Sequence, residues 1–247
     1  MLQIDGTARF ISDLHLRSER PDLTERFFRF LADCAAAKIE SLFILGDLFE
    51  YWIGDDNLAD PFIANVVARL RELSEQGTRI FFIHGNRDFL IGTDFATACG
   101  ITLLPELQKV GAGETAILLL HGDTLCTDDH SYQDFRRAVR SLEWQESFLA
   151  QSLSIRRAEV EALRRRSSEA VQTKTAEIMD ANPHSVRETL VASGCQRMIH
   201  GHTHRPGREL LDAAVGSERW VLSDWDHGRG DALEVSAAGI QRLDWLH

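Results

Sequence analysis

The stretch ARFISDLHL, Ala8–Leu16, guides the interpretation of the whole chain. It begins with an apolar run that predicts a buried strand over Ala8–Ser12, and Asp13 and His15 follow directly. Residues two apart on an extended chain point to the same side, so this carboxylate and this imidazole can share a metal ion. A lone D-x-H motif is weak evidence and needs partners elsewhere in the chain.

The same arrangement, an apolar run followed by polar residues, returns four more times. These strands are predicted over Leu42–Leu45, Ile80–His84, Ala116–His121 and Arg197–His200. The strings at their ends are ILGDLFE, HGNRD, LLHGD and HGHTH, which supply Asp47, Asn86, His121, His202 and His204. We therefore expect seven side chains to converge at one edge of a sheet. Oxygen and imidazole ligands in this number suit two divalent cations, with Mn²⁺ favoured and Fe or Zn as alternatives. Such a pair polarises a phosphoryl group and generates hydroxide at neutral pH, so the pattern predicts a two-metal phosphoesterase.

Helical periodicity between the apolar runs predicts an α/β fold. Helices are predicted over Asp22–Ala37 and Pro61–Glu75, the second with Asp60 as its N-cap. Alternating strands and helices imply βαβ units and a mostly parallel sheet. A short helix over Ser185–Val191 and strands over 219–223, 232–235 and 240–243 complete the chain, and the last strands are predicted to be antiparallel.

No strand is predicted between about residues 128 and 182, so we interpret this segment as a helical insert in a single domain spanning residues 1–247. We expect two helices, with a break near Ser152–Ser154. The insert holds nine basic and ten acidic residues and is near −1, which leaves about −10 of the net charge of −11 to the rest. Its apolar stripe is formed by Trp144, Phe148, Leu149 and Leu153. Either this stripe packs on the domain, or it is the face of a lid that contacts an apolar substrate or a membrane.

The composition argues against several classes of protein. The net charge of −11 argues against nucleic acid as a partner, because phosphate backbones are bound by clustered Lys and Arg. The four cysteines form no CxxC pair and are typical of reduced thiols in the cytosol. The N-terminus lacks a signal-peptide pattern, and no apolar stretch approaches the ~20 residues that span a bilayer. We expect a cytoplasmic protein, monomeric by default, that can still touch a membrane.

Taken together, the motifs D-x-H, GD, GN-R-D, HGD and GHTH resemble those of the calcineurin-like metallophosphoesterase superfamily. The resemblance covers the whole chain except the insert, and it implies a four-layer α/β/β/α sandwich. It also implies a division of the ligands, in which one metal takes Asp13, His15 and His204, the other takes Asn86, His121 and His202, and Asp47 bridges the two.

Longer strings resemble one branch of this superfamily. These are DLFEYWIGDD, FIHGNRDFLIG, LLHGDTLCTDD, IHGHTHRP and, inside the insert, RRRSSEAVQTKTAEIMDAN. Members of the branch use Mn²⁺ to cleave the diphosphate of UDP-2,3-diacylglucosamine into UMP and 2,3-diacylglucosamine 1-phosphate, a step of bacterial lipid A biosynthesis at the cytoplasmic face of the inner membrane.

From this resemblance we expect two Mn²⁺ per chain, metal-activated water that attacks the UMP-side phosphorus, and peripheral contact with the anionic inner membrane. The residues expected to hold the substrate are Asn86, Arg87, Asp129, Ser167, Lys174 and His202. Of these, Asn86, Arg87 and His202 would stabilise the charge that grows during the reaction.

Arg87 supplies a chemical argument of its own. Many metallophosphoesterases have a histidine at this position, which is thought to protonate a leaving alkoxide. A guanidinium stays protonated throughout catalysis and cannot do so. The leaving group of a diphosphate is a phosphate monoester with a second pKa of about 6, so it can depart as an anion that Arg stabilises. Arg87 therefore favours diphosphate cleavage.

Two alternatives remain open at this point. A soluble hydrolase of nucleotide sugars or dinucleotides would share the metals and Arg87 but would not need the amphipathic insert. A noncatalytic binding scaffold on the same fold is the other, although all seven ligands are in place. Near the C-terminus, Leu222-Ser223-Asp224-Trp225 departs from the Leu-Gly-Ala-Trp of the branch, and we expect this departure to play no part in the chemistry.

Overall fold

The computed structural model describes residues 2–113, 115–173, 178–226 and 228–245, and over residues 166–173 it describes the backbone alone. Within these residues the strands are β1 Leu2–Ile4, β2 Ala8–Ile11, β3 Ser41–Ile44, β4 Arg79–Phe82, β5 Ile101–Leu103, β6 Gln108–Ala112, β7 Thr115–Leu119, β8 Arg197–His200, β9 Gly207–Asp212, β10 Ser217–Val221, β11 Asp231–Ser236 and β12 Gly239–Asp244. The helices are α1 Pro21–Ala36, α2 Pro61–Glu75, α3 Thr93–Cys99, α4 His130–Val139, α5 Leu142–Leu149, α6 Leu153–Thr173 and α7 Pro183–Ser193.

The strands form two six-stranded sheets, with orders β12-β11-β2-β3-β4-β5 and β1-β6-β7-β8-β10-β9. In the first sheet β2, β3, β4 and β5 are parallel and are connected through α1, α2 and α3, as the βαβ pattern predicts. The expectation of a single sheet is wrong, however, because the described strands form two mixed sheets in which six strand pairs are parallel. Four strand pairs are antiparallel, namely β11–β12, β2–β11, β6–β7 and β9–β10. Three of these pairs are joined by short turns, which leave no room for a crossover helix.

The sheets pack face to face, and helices cover their outer sides. Between the sheets the rings of Phe10, Phe43 and Phe81 stack across three neighbouring strands, with ring centroids 4.8 Å apart in each successive pair. Helices α1, α2 and α3 pack on the outer face of the first sheet, and α7 packs on the second through Val186 and Leu190. This is the four-layer α/β/β/α sandwich that the resemblance implies.

The eight predicted strands and three predicted helices outside the insert are all present, with ends shifted by one or two residues. The N-cap of α2 is also confirmed, because the Asp60 carboxylate accepts a hydrogen bond from the Phe62 N–H at 3.0 Å. The sequence reasoning missed β1, β5, β6, β9 and α3. Two of these strands have only three residues, and β9 is an edge strand with mostly exposed side chains, so no apolar periodicity marks them.

The insert contains three helices among the described residues, not two, because a second break at Arg140–Ser141 separates α4 from α5. Phe148 is 2% exposed and belongs to the main core, and Trp144 and Leu153 pack against that core. This part of the stripe therefore packs on the domain, whereas Leu149 is exposed. No helix in the described part of the chain is both long and apolar enough to cross a membrane.

The first turn of α6 is fastened to the domain by a buried arginine. Arg156 is 2% exposed and donates hydrogen bonds to the Ile53 carbonyl and to both carboxylate oxygens of Asp56. Gly54 has φ +126°, and a Cβ at this position would collide with the Arg156 guanidinium. The WIGDD string thus forms a socket for a residue of the insert.

Candidate metal centre

The seven predicted ligands meet where five strands end, and those strands belong to both sheets. Asp13 and His15 follow β2, Asp47 follows β3 and Asn86 follows β4, all in the first sheet. The other three residues, His121, His202 and His204, follow β7 and β8 of the second sheet. The expectation of a single sheet edge is therefore corrected, because the site lies at one end of the sandwich and is shared by the two sheets.

Five of the seven residues have left-handed backbone conformations. The φ angles are +55° for Asp13, +50° for His15, +53° for Asp47, +65° for His202 and +53° for His204. The D-x-H and H-x-H segments are therefore turns, not the extended segments we expected. Asp, Asn and His tolerate this region better than most residues, yet it still costs on the order of 1–3 kcal/mol per residue. Such strain is concentrated at functional sites, where the surrounding structure holds it in place.

One group of ligands consists of Asp13, His15 and His204. The Nε2 atoms of the two histidines lie 3.4 Å apart, and Nε2 of His204 lies 3.4 Å from Oδ1 of Asp13. Oδ2 of Asp13 accepts hydrogen bonds from the Ser12 hydroxyl and the His202 N–H, so the carboxylate is fixed. Its Oδ1 atom is buried and has no hydrogen-bond partner among the described residues.

The other group consists of Asn86, His121 and His202. Oδ1 of Asn86 lies 2.9 Å from Nε2 of His121 and 2.9 Å from Nδ1 of His202. Between the two groups, Oδ2 of Asp47 lies 4.0 Å from Nε2 of His15 and 3.8 Å from Nε2 of His121. The side chains thus form two groups of three with Asp47 between them, and their division between two metals stays a prediction.

Burial and neighbouring charges shift the ionisation of these groups strongly. Burial raises the pKa of Asp47 to about 7, although His121 acts in the opposite direction. Burial acts to lower the pKa of His121, but the carboxylates of Asp47 and Asp13 outweigh it and raise that pKa to about 9. Burial lowers the pKa of His15 to about 3 and that of His202 to about 4. Burial also acts to lower the pKa of His204, but Asp13 and Asp224 outweigh it and raise that pKa. Without a cation the site therefore combines buried carboxyl groups, neutral imidazoles at His15 and His202, and two histidines, His121 and His204, that hold a proton more readily.

The donor set fits divalent cations. Nδ1 of His121 lies 2.8 Å from the Leu45 carbonyl, so this nitrogen carries a proton and Nε2 offers a lone pair when the ring is neutral. That lone pair then faces an oxygen of Asn86, and the His15 and His204 nitrogens face each other in the same way. Acceptor atoms that lie this close repel one another, and Oδ1 of Asp13 is buried without a hydrogen-bond partner among the described residues. A cation between these atoms would remove both costs. Residues that can hold a cation are Asp13, His15 and His204 in one cluster and Asp13, Asp47 and His121 in another.

Two buried carboxylates that the sequence reasoning passed over support the ligand loops. Asp88 is fully buried and accepts the N–H groups of Gly85 and Leu48, which joins the loops that carry Asn86 and Asp47. Asp123 fastens the insert to the site, because it accepts hydrogen bonds from Tyr132 and Arg136 of α4. Both follow motif residues in the strings GNRD and HGD, and this adjacency was the available signal.

The residues predicted to hold the substrate lie in different parts of the structure, and two of them have side chains outside the described residues. Asn86 and Arg87 line a cavity of about 380 Å³ that runs from the metal centre to the insert. Asp129 is the N-cap of α4, where its carboxylate accepts the Tyr132 N–H and the Ser131 hydroxyl. Ser167 lies in α6 within the range where only the backbone is described, and Lys174 lies outside the described residues.

Apolar and aromatic side chains from both the domain and the insert form the cavity wall. Trp52, Phe89 and Leu90 come from the domain, and the insert contributes Phe135, Val139, Trp144, Phe148, Val160 and Leu163. The rings of Trp144 and Phe148 stack with centroids 4.8 Å apart. One end of the cavity therefore reaches the polar metal centre while its walls are largely apolar.

Comparison with known proteins places this arrangement in a family. Residues 8–206 match the family described as calcineurin-like phosphoesterase. The chain is 44% identical over 231 residues to the UDP-2,3-diacylglucosamine hydrolase of Sodalis glossinidius, an overlap of 94% of this chain and 95% of the relative. It is 45% identical over 234 residues to the protein of the same name from Aromatoleum aromaticum, with 94% of each chain covered. Among solved structures, a dimetal phosphatase from Danio rerio shares the fold with a TM-score of 0.53 at 14% identity, and 97% of this chain and 98% of that one align.

Proposed function

This chain belongs to the calcineurin-like phosphoesterase family and within it to the UDP-2,3-diacylglucosamine hydrolases, and we propose that it hydrolyses the diphosphate bond of UDP-2,3-diacylglucosamine. The products are UMP and 2,3-diacylglucosamine 1-phosphate, a step of lipid A biosynthesis. One observation carries the proposal beyond the names of the relatives. The seven-residue metal centre opens into an apolar cavity, as cleavage of a diphosphate attached to acyl chains requires.

The ligand groups around Asp13 and Asn86 would each hold one divalent cation, and Asp47 would contact both. Such cations polarise phosphoryl oxygens and lower the pKa of water. We propose Mn²⁺ as the metal, because carboxylate, amide and imidazole donors without thiolate suit it. Water then attacks the phosphorus on the UMP side, in line with the sugar phosphate that leaves.

Arg87 is suited to stabilise the departing phosphate. Its backbone is fixed, because its N–H donates to Asp47 and its carbonyl accepts from the Trp52 N–H. Its guanidinium has no hydrogen-bond or ion-pair partner in the part of the chain that the structure describes, and it lines the cavity beside Asn86. A free guanidinium at this place can bind a diphosphate through two parallel hydrogen bonds. Asn86 and His202 would assist by contacting phosphoryl oxygens of the substrate and stabilising the charge that grows on them.

The apolar cavity favours an acylated substrate over the soluble alternative. A nucleotide sugar or a dinucleotide has no acyl chain, whereas burial of acyl chains against the Trp, Phe, Leu and Val side chains of the wall gains about 0.8 kcal/mol per CH₂ group. We place Asp129, Ser167 and Lys174 at the sugar and diphosphate as further contacts. The complete ligand set argues against a noncatalytic scaffold.

We further propose peripheral contact with the cytoplasmic face of the inner membrane. The insert exposes Leu142, Leu149 and Ile155, with Leu142 71% exposed, close to the cavity that would receive the acyl chains. These side chains can enter the boundary between lipid head groups and acyl chains.

The direct test is UMP release by the Mn²⁺-loaded protein from UDP-2,3-diacylglucosamine and, in parallel, from UDP-N-acetylglucosamine. We expect strong preference for the acylated substrate, and equal cleavage of both would move the protein to the soluble alternative. Hydrolysis in ¹⁸O-labelled water identifies the phosphorus that is attacked. The label should appear in UMP, and label in the sugar phosphate would contradict the proposed site of attack.

A further inference from the structure

The two histidines of the Asp13 group are arranged alike around a common point. Their Nε2 atoms face each other at 3.4 Å, and the Nδ1 atom of each faces a carboxylate on the opposite side. Nδ1 of His15 lies 3.7 Å from Oε2 of Glu50, and Nδ1 of His204 lies 3.8 Å from Oδ2 of Asp224. Neither carboxylate belongs to the seven ligands, and Asp224 lies at the position where the sequence departs from its branch.

This arrangement matters because a neutral imidazole has one N–H and one lone pair. A histidine binds a cation only through the nitrogen that carries the lone pair. A carboxylate opposite Nδ1 stabilises the tautomer with the proton on Nδ1 and leaves the Nε2 lone pair for the cation. It also limits rotation of the ring. Both histidines of this group would then direct their lone pairs to the same cation.

Asp224 is held rigidly in position. Its side chain is only 5% exposed, Oδ2 accepts a hydrogen bond from Arg229 at 2.9 Å, and Oδ1 is buried without a hydrogen-bond partner among the described residues. The next residue, Trp225, donates its backbone N–H to the carbonyl of Asp13 at 3.1 Å. The segment that carries Asp224 is thus attached to the turn that carries a ligand. Nδ1 of His204 lies 3.8 Å from Oδ2 of Asp224, and a hydrogen bond of 2.7–3.2 Å would require the more exposed His204 ring to approach by about 1 Å.

Glu50 is placed differently, because it also connects the site to the insert. Its carboxylate accepts hydrogen bonds from Arg17 and from Arg164 of α6, both at 2.9 Å. Loss of Glu50 would therefore disturb the insert as well as His15. Asp224 makes no hydrogen bond or ion pair with the described residues of the insert, so it provides the cleaner test.

We propose that Asp224 and Glu50 are positioning residues, which fix the tautomer and orientation of His204 and His15 so that both Nε2 atoms bind the cation held by Asp13. This proposal differs from the expectation that the Leu222–Trp225 departure plays no part in the chemistry. The inference rests on the metal centre of the proposed function but not on the identity of the substrate.

The test measures Mn²⁺ binding to the metal-free protein by equilibrium dialysis with metal analysis. In Asp224→Ala we expect one of two Mn²⁺ ions to bind about 10- to 100-fold more weakly, the usual effect of losing the partner of a ligating histidine, while the other ion binds as before. Asp224→Asn should retain most of the affinity, because its amide oxygen still accepts the Nδ1 proton. Activity of Asp224→Ala should recover at high Mn²⁺.

Arg229→Gln is the matched control, because it removes the ion pair of Asp224 and leaves the carboxylate beside His204. Equal weakening in Arg229→Gln and Asp224→Ala would show that only the ion pair matters and would overturn the proposal. Unchanged binding of both ions by Asp224→Ala would overturn it as well. The Tm of the metal-free protein shows whether Asp224→Ala folds. If it does not fold, Mn²⁺ binding is measured in Asp224→Leu and Glu50→Ala instead. Normal binding in the folded variants would reject the proposal.

The same proteins separate this inference from the proposed function. Weakened Mn²⁺ binding in Asp224→Ala, together with no hydrolysis of UDP-2,3-diacylglucosamine by the unaltered protein, would support the positioning role and reject the substrate. Normal hydrolysis by the unaltered protein, together with unchanged Mn²⁺ binding in Asp224→Ala, would support the substrate and reject the positioning role.

Discussion

The Nε2 atom of His121 lies 2.9 Å from Oδ1 of Asn86, while Nδ1 of the same ring is hydrogen-bonded to the Leu45 carbonyl. In the metal-free protein a proton on Nε2 makes this contact favourable, and the carboxylates of Asp47 and Asp13 raise the pKa of His121 to about 9. A cation that binds Nε2 must displace this proton. Proton and metal thus compete for one nitrogen atom.

We therefore expect Mn²⁺ binding to release at least about one proton per protein near pH 7.5. The release should decrease, and the affinity for Mn²⁺ should increase, as the pH rises towards 9, because His121 then loses its proton unaided. Titration calorimetry in buffers with different ionisation enthalpies measures the number of protons. His184→Ala, which removes an exposed histidine paired with Glu188, should leave it unchanged. Proton release that does not vary with pH would contradict this account.

Asp47→Asn should remove metal binding without weakening the fold. Asp47 would contact both cations, so we expect both affinities to fall by at least about 100-fold. Burial raises the pKa of Asp47 from 3.8 to about 7, so its contribution to stability is present below pH 3.8 and is lost as the pH rises to 7. At pH 8 the buried charge costs stability, and the Tm of metal-free Asp47→Asn should be no lower than that of the unaltered protein.

Asp88→Asn is the matched control for that experiment. Asp88 is equally buried, but its two oxygens accept the N–H groups of Gly85 and Leu48. An amide can accept only one of them, so this variant should lose about 1.5–3 kcal/mol of unfolding free energy in the metal-free state. A larger loss of stability in Asp47→Asn than in Asp88→Asn would argue against the roles assigned to the two carboxylates.

Arg87→Met should reduce kcat for the diphosphate substrate by about 100- to 1000-fold, the range found when one group that stabilises developing charge is removed. Arg87→Lys should lose less, because it keeps the charge but not the paired hydrogen bonds. Steady-state kinetics with metal analysis makes the test, and the Mn²⁺ content should stay at its original value. A reduced Mn²⁺ content in proportion to activity would assign Arg87 to the metal centre instead.

Trp144→Ser should impair turnover of acylated substrate more than that of a soluble diphosphate. Trp144 is partly buried in the cavity wall and stacks on Phe148, so its loss removes apolar surface from the cavity that would receive the acyl chains. We expect kcat/KM for UDP-2,3-diacylglucosamine to fall by about tenfold, equivalent to about 1.4 kcal/mol and within the range that the apolar contacts of one side chain provide. Leu142→Ser, on the same helix but outside the cavity wall, should retain activity in detergent solution. Equal losses on both substrates would reject the role of this wall.

Arg156→Met should loosen the insert. The variant removes the hydrogen bonds to Ile53 and Asp56 that hold the first turn of α6, at a cost of about 1–3 kcal/mol. Hydrogen–deuterium exchange should become faster across residues 153–165 and stay unchanged in the central strands. Arg157→Met is the control, because Arg157 is exposed and lies 3.8 Å from Asp60, and such pairs contribute little. Equal exchange in the two variants would mean that the socket does not anchor α6.

The local pattern of the sequence was sufficient to predict the strands that carry the ligands. The predicted strands around Phe10, Phe43 and Phe81 are confirmed, because each buried strand has its own apolar run and ends at a polar residue or a glycine. The weak elements were missed for the same reason. Strand β9 is held mainly by its pairing with β10, and its side chains are mostly exposed. Its sequence therefore has little to distinguish it from a loop.

The seven candidate ligands and their chemical types were determined by the sequence alone, since a carboxylate, an amide or an imidazole at the end of a buried strand is a local feature. Their division between two sheets, and the left-handed turns at Asp13 and His204, were decided only by the tertiary structure. His15 and His204 are separated by 189 positions, and Glu50 and Asp224 lie behind them from still other segments. Contacts of this kind depend on how the two sheets pack, because the packing of distant segments sets these distances and no periodicity along the chain encodes them.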